Sequence, residues 1–308
     1  MQGEAANAGA APGALDPAVL DRLHGLELVA RAAVEGFQAG VHRSARRGSS
    51  AEFALHREYV PGDELRRLDW KVAARLDRLV VKEFEEESNL DCHIVLDQSA
   101  SMKFGSLRWS KLDYARWCAA ALATLVLGNR DRCGLVLCAD SVVAKVPPAS
   151  GAAQRAAILG ELERARPAGP TQLGTVLDWL STRLRRRGLV VVLSDFLDEP
   201  ARIADGIRKL ASLGHEPILA QVLDPAELSF DYEGLLQLED LEGDARVRID
   251  ARALRNAYLA ELEAHQRALR AAAHSLGLDL LEIRTDAPLD AVLSTYLARR
   301  MARTRGRR

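Results

Sequence analysis

Five oxygen-bearing residues of this chain stand where their spacing could do chemistry. Asp97, Ser99 and Ser101 alternate in the run Asp97-Gln-Ser99-Ala-Ser101, Thr171 ends the loop Pro167-Ala-Gly-Pro-Thr171, and Asp195 follows the apolar run Gly188–Ser194. The alternation matters because a tight loop can turn every second side chain toward one point. Two carboxylates and three hydroxyls are an all-oxygen set, which suits a hard octahedral cation such as Mg2+ or Mn2+. The hydroxyls are neutral, so a bound ion keeps net positive character and seeks an acidic ligand at its open position. The bland reading of the same residues is a set of turn and capping groups.

Other chemistries find less support. Aspartyl phosphotransfer at Asp97 would need a second carboxylate close by and a charge-clamping lysine, and only Lys103 is near in sequence. No G-x-S-x-G elbow surrounds Ser99 or Ser101, and the seven histidines show no metal-ligand spacing. His93 lies in a strand and reads as a core residue. Neither G-x-x-x-x-G-K-[ST] nor G-x-G-x-x-G occurs, so nucleotide binding is not indicated.

The elements that must position the five residues alternate between strand and helix. Cys92–Asp97 reads as an apolar strand, 110–127 as a helix, and Cys133–Ala139 with Val142–Val146 as strands joined by a turn at Asp140-Ser141. Helices are expected at 152–164 and 172–186, and a strand buried on both faces at Gly188–Ser194. A helix at 200–213, a strand at 216–223, a hairpin excursion over 224–250 turning at Glu242-Gly-Asp244, a long helix at 251–276, a strand at 279–284 and a helix at 288–300 follow. That order argues for an α/β fold with a doubly wound, mostly parallel sheet flanked by helices. Such sheets carry their sites at the carboxyl ends of strands, where Asp97 and Asp195 fall. Upstream, a cap at Asp16 opens a helical pattern through Leu20, Leu23, Leu26 and Val29 to about Glu35. The segment 53–89 holds a turn at Pro61-Gly62-Asp63, a helical 69–75 and a strand-like 78–84.

Composition fits that class. Of 308 residues, 48% are hydrophobic and 28% charged, and the formal net charge is -1, which excludes global disorder and a wholly basic nucleic-acid binder. Among the 42 basic residues only six are lysine. The four cysteines, Cys92, Cys118, Cys133 and Cys138, form no C-x-x-C pair and read as core fillers in a reducing compartment. Residues 1–17 read as a disordered leader without signal-peptide character. The longest apolar stretch, Trp117–Leu127, is shorter than the roughly 20 residues that a bilayer demands, so no transmembrane segment and a cytoplasmic location are expected. The Arg-rich tail, 301–308, reads as a solvated end, and no nucleic-acid partner is expected.

Asp97-x-Ser99-x-Ser101, Thr171 and Asp195 together resemble the complete metal-ion-dependent adhesion site of von Willebrand factor A domains. The resemblance covers roughly 90–223, and it implies an A-like domain over 90–300. By that likeness Ser99, Ser101 and Thr171 would coordinate the metal directly. Asp97 and Asp195 would do so directly or through water, and a partner Asp or Glu would complete the shell.

A second resemblance lies upstream. Gly40, Ser44, Gly48, Glu52-Phe53, Arg57-x-Tyr59-x-Pro61-Gly62-Asp63, Arg66, Asp69-Trp70, Ala74-Arg75 and Lys82-x-Phe84-Glu85 are similar to the bacterial family called domain of unknown function 58. That family implies a segment, here 18–89, leading into an A-like domain, and a partnership with MoxR-type AAA+ ATPases. Read from the residues alone, Arg57, Tyr59, Asp63, Arg66, Asp69, Trp70 and Arg75 mix aromatics with pairable charges. They serve either to hold the segment on the sheet domain or as a partner-docking face. The expected function is a non-enzymatic, divalent-metal-dependent protein-interaction module. The alternatives are a metal-dependent phosphoester hydrolase and a scaffold with a vestigial metal site.

Overall fold

The computed structural model describes residues 16–45, 57–58, 80–81, 90–241, 246–278 and 280–305. Asp16 accepts the Ala18 N–H at 2.9 Å and opens α1 (Pro17–Leu20). The single helix expected to run from there to Glu35 is instead broken. Gly25 adopts φ +93°, a left-handed conformation that costs a glycine little, and α2 (Leu26–Ala45) restarts beyond it and continues past Glu35. β1 (Arg57–Glu58) and β2 (Val80–Val81) pair antiparallel. The turn at 61–63 and the helix at 69–75 lie outside the described residues.

The main body follows as β3 (Asp91–Asp97), a 3-10 turn (Ala100–Lys103), α3 (Lys111–Gly128), β4 (Arg132–Cys138), β5 (Val142–Ala149), α4 (Ala152–Arg164) and α5 (Leu173–Ser181). It continues with β6 (Gly188–Ser194), α6 (Pro200–Ser212), β7 (Glu216–Leu223), α7 (Pro225–Ser229), β8 (Leu235–Glu239), β9 (Arg246–Asp250), α8 (Ala251–Ser275), β10 (Leu280–Arg284) and α9 (Asp290–Arg305). Several elements differ from the sequence expectation, among them β5, which runs to Ala149 rather than Val146. α5 stops at Ser181 rather than Arg186, because the Ser181 and Thr182 hydroxyls take the carbonyls of Asp178 and Trp179 in its last turn. The 224–250 excursion contains a helix besides its hairpin: Asp224 caps α7, Pro225 sits at its first position, and Glu227 closes a capping box. α9 runs to Arg305, so part of the expected tail is helical.

Six strands form one sheet in the order β10-β7-β6-β3-β4-β5, all parallel except β5, which runs antiparallel to β4. β3 is central, and the chain first steps to β4 and then returns to the other side of β3 through β6. The order therefore reverses between β3 and β6, where open sheets form a crevice at their carboxyl ends.

Side chains alternate across the strands. Cys92, Ile94 and Leu96 face a layer built from α1, α2, α3, α4 and α9, while Val95, Val190 and Val192 face α5, α6 and α8. Covering on both faces explains why β3 and β6 are buried along their whole lengths and read as unbroken apolar runs. α3 lies between the sheet and α2, which is why its sequence is apolar almost all round. Its Ser110–Asp113 capping box fixes where it starts. On the other layer, α5 and α6 touch at Gly174 and Gly206, where an added Cβ would meet Arg202 Cβ at 2.8 Å and Leu177 Cβ at 2.6 Å. α9 is tied down through Asp131, whose carboxylate accepts from Tyr296 Oη at 2.8 Å and Arg300 Nε at 2.7 Å. All four cysteines are free and buried.

His93 in β3 is 5% exposed, and its pKa is lowered to about 4 by burial, with the charges of His215, Lys145 and Arg132 adding. Between that value and the ordinary 6.5, the unfolded chain binds a proton that the folded one refuses, so this residue's contribution to stability is lost as pH falls. The expected loss relative to a His93→Gln variant is roughly 2–3 kcal/mol between pH 7 and pH 4. Urea titrations of both proteins at the two pH values measure it. Equal changes in the two proteins would show that His93 titrates alike folded and unfolded.

Candidate functional site

The crevice between β3 and β6 gathers the residues singled out from the sequence. β3 delivers Asp97 to the centre of the sheet edge, 1% exposed. Its Oδ1 accepts the Ser99 N–H at 2.8 Å, which turns the following loop back over the strand end. The 3-10 turn then places the Ser99 and Ser101 hydroxyls 3.0 Å apart on one side. A second loop is stitched to the first by two backbone bonds, Ala168 N–H to Gln98 O at 2.9 Å and Ala100 N–H to Gly169 O at 2.8 Å. From it, Thr171 Oγ1 donates to Asp97 Oδ2 at 3.0 Å. Ser194 Oγ, from the end of β6, donates to the same oxygen at 2.6 Å. Asp97, Ser99, Ser101 and Thr171 thus share one cradle, with Ser194 as a member that the sequence set did not include.

Asp195 lies beside this cradle but faces another partner. Its Oδ2 accepts from the Lys111 ammonium at 2.9 Å, and its Oδ1 accepts the Leu197 N–H at 3.3 Å. Lys111 also donates to Glu227 Oε1 at 2.6 Å, and the Lys111 and Asp195 side chains are each 1% exposed. Burial alone would lower the lysine pKa, but the two carboxylates outweigh it and hold the ammonium charged. Asp195, expected as a metal ligand directly or through water, is thus ion-paired to Lys111 in this structure.

The turn that carries Asp195 is strained and braced. Phe196 has φ +58°, unusual for a side-chain-bearing residue. Ser194 Oγ accepts its N–H at 2.9 Å, His265 Nε2 meets its carbonyl at 2.9 Å, and Gln221 Nε2 donates to the Asp195 carbonyl at 3.0 Å.

Lys111 and Glu227 were not on the sequence-derived set, and Lys103, the lysine near Asp97 in sequence, is not the one that enters. One signal for Lys111 was present. It occupies the first turn of α3, where the helix dipole mildly disfavours a cation, which is a weak pointer to a nearby counter-charge. Of the upstream residues, Arg57 lies in β1, whereas Tyr59, Asp63, Arg66, Asp69, Trp70 and Arg75 lie outside the described residues.

The donor chemistry is compatible with a hard cation. Asp97 has its pKa raised to about 6, by burial first and then by the neighbouring Asp195 carboxylate, so its ionised form is disfavoured unless a counter-charge joins the cradle. The arrangement is hydroxyl-rich: among the described residues no group of three or more His, Cys, Asp or Glu side chains could hold a metal ion. Among them, too, no helix is long and apolar enough to cross a membrane.

An uncharacterized protein of Mycobacterium tuberculosis, Rv1480, is 31% identical over 290 residues, spanning 92% of this chain and 90% of that protein. Among solved structures, the conserved hypothetical protein BatB from Bacteroides thetaiotaomicron is similar over 70% of this chain and 99% of its own, at 14% identity and TM-score 0.47. The SpRpn10 VWA domain is similar over 67% of this chain and 94% of its own, at 12% identity and TM-score 0.40. The family model described as "Protein of unknown function DUF58" matches residues 55–268. The chain belongs to that family.

Proposed function

We propose that this chain is a non-enzymatic, divalent-metal-dependent protein-interaction module of the von Willebrand A kind. The observation that carries the reading is the convergence of Asp97, Ser99, Ser101 and Thr171 from two stitched loops at the switch point of a parallel sheet. Asp97 and the three hydroxyls would hold Mg2+ or Mn2+, with Asp195 at their margin. The bound ion would supply positive charge to an Asp or Glu of the partner. A fixed site of this kind gives specificity as much as affinity. We assign the partner to the MoxR-type AAA+ ATPases on the strength of the family resemblance, and the location to the cytoplasm.

Calorimetric titration with Mg2+ and Mn2+ tests the metal. One site is expected in the unaltered protein, with Asp97→Ala and Ser99→Ala each losing it while retaining the folded circular-dichroism spectrum. Retention of a MoxR-type ATPase on the immobilised protein is then expected in Mg2+ and lost in excess chelator. Equal retention in both would overturn metal dependence. Metal-stimulated turnover of a phosphoester, lost in Asp195→Ala, would favour a hydrolase instead.

A further inference from the structure

The proposed cradle leaves one buried charge without a role. Lys111 opens α3, and no element of the metal reading requires a cation there. A buried ammonium is costly unless it is paired and hydrogen-bonded. Lys111 meets that condition twice over, lying between Asp195 Oδ2 at 2.9 Å and Glu227 Oε1 at 2.6 Å. Its backbone N–H donates to Phe104 O at 2.8 Å, in the loop that leaves the Ser99–Ser101 turn. The start of α3, and with it the lysine backbone, is therefore tied to that loop.

The consequence lies in the charge count. Asp97, Asp195 and Glu227 are three carboxylates, and Lys111 supplies one ammonium, so two negative charges remain for one divalent ion to neutralise. Asp195 is the member shared by both systems, since its charge bears on Asp97 while its Oδ2 holds the lysine. Glu227 is fixed independently of the cradle, because its Oε2 accepts the Asp224 N–H at 2.9 Å in the capping box of α7. It offers the ammonium a place to stay when Asp195 is drawn elsewhere.

We infer that Lys111 is a resident counter-cation that competes with the divalent metal for Asp195, and that Glu227 retains the ammonium when metal binds. Lys111 is thus a positioning residue that sets metal affinity. This inference rests on the reading of the cradle as a metal site. It makes metal loading an exchange of ion pairs, in which Asp195 turns from the lysine toward the cradle.

The test uses the full chain and two paired substitutions, K111M/E227Q and K111Q/E227Q. Each removes one positive and one negative charge, so the net charge of the region stays as it was, and Asp195 is left without its ammonium and open to the metal. Mg2+ and Mn2+ are titrated calorimetrically, with folding checked by thermal melting. The expected result is binding at least tenfold tighter than in the unaltered protein, abolished when Asp97→Ala is added. Metal binding in the unaltered protein that Asp97→Ala removes, without tightening in a folded paired variant, would overturn the competition and leave the metal site standing. Absence of binding in every folded protein would overturn both. Binding that appears only in the paired variants would establish the competition in its strongest form.

Discussion

Lys111→Ala is expected to lower folding stability by about 3–5 kcal/mol, the usual cost of removing one partner from a buried ion pair. The lysine side chain is 1% exposed, and its loss leaves two carboxylates in a space from which water is largely excluded. Asp195 stands 1% exposed and would then repel both Glu227 and Asp97. Replacing lysine and Glu227 together is expected to recover part of the loss, because Glu227 then needs no counter-charge while the buried Asp195 still does. Urea denaturation of the single and paired variants measures both effects. A single variant within about 0.5 kcal/mol of the parent would mean that the ammonium contributes nothing to the fold, as at an ordinary surface position.

Asp224→Ala is expected to cost about 2–4 kcal/mol, combining a lost helix cap with donors left unpaired. Asp224 is fully buried and gathers donors from three parts of the chain. It accepts from Ser106 N–H at 2.9 Å and Ser106 Oγ at 2.5 Å in the loop before α3. It accepts from Ala226 N–H at 2.8 Å in α7, and from Thr285 Oγ1 at 3.4 Å after β10. Asp224→Asn keeps one acceptor oxygen, for the Ala226 N–H and Ser106 Oγ, but sets its amide against the Ser106 N–H, so it is expected to lose less than Asp224→Ala but a measurable part of it. Equal losses in the two variants, read from denaturant midpoints, would show that the acceptor retained by Asn contributes nothing to the corner.

How much of this was legible in the sequence depended on the kind of interaction. β3 and β6 were readable because burial on both faces makes a strand an unbroken apolar run, and α4 because its periodic pattern ends cleanly at Arg164. Asp97, Ser99 and Ser101 were readable as a group because alternation in one short loop is a local property. Thr171 required the strand order as well, and its bond to Asp97 spans 74 residues. Lys111 and Glu227 stayed hidden because they meet 116 residues apart, through a helix start and a helix cap that each look self-sufficient. The break at Gly25 was masked by a hydrophobic period that continues across it, since Leu20 and Leu26 both reach the same core layer. The end of α5 was set by hydroxyls returning to carbonyls, a competition that periodicity does not register.

The central position of β3 has a consequence for synthesis. Asp97 is bonded to Ser194 across 97 residues, and β3 pairs with β6 in parallel over the same separation. Parallel pairing of distant segments is slow, because chain closure precedes any reward. On a ribosome the Asp97 loop emerges well before the strand that completes it, at a few to some twenty residues per second. The cradle therefore cannot close in a newborn molecule until Ser194 has emerged, and a nascent chain halted before it carries the loop without the crevice.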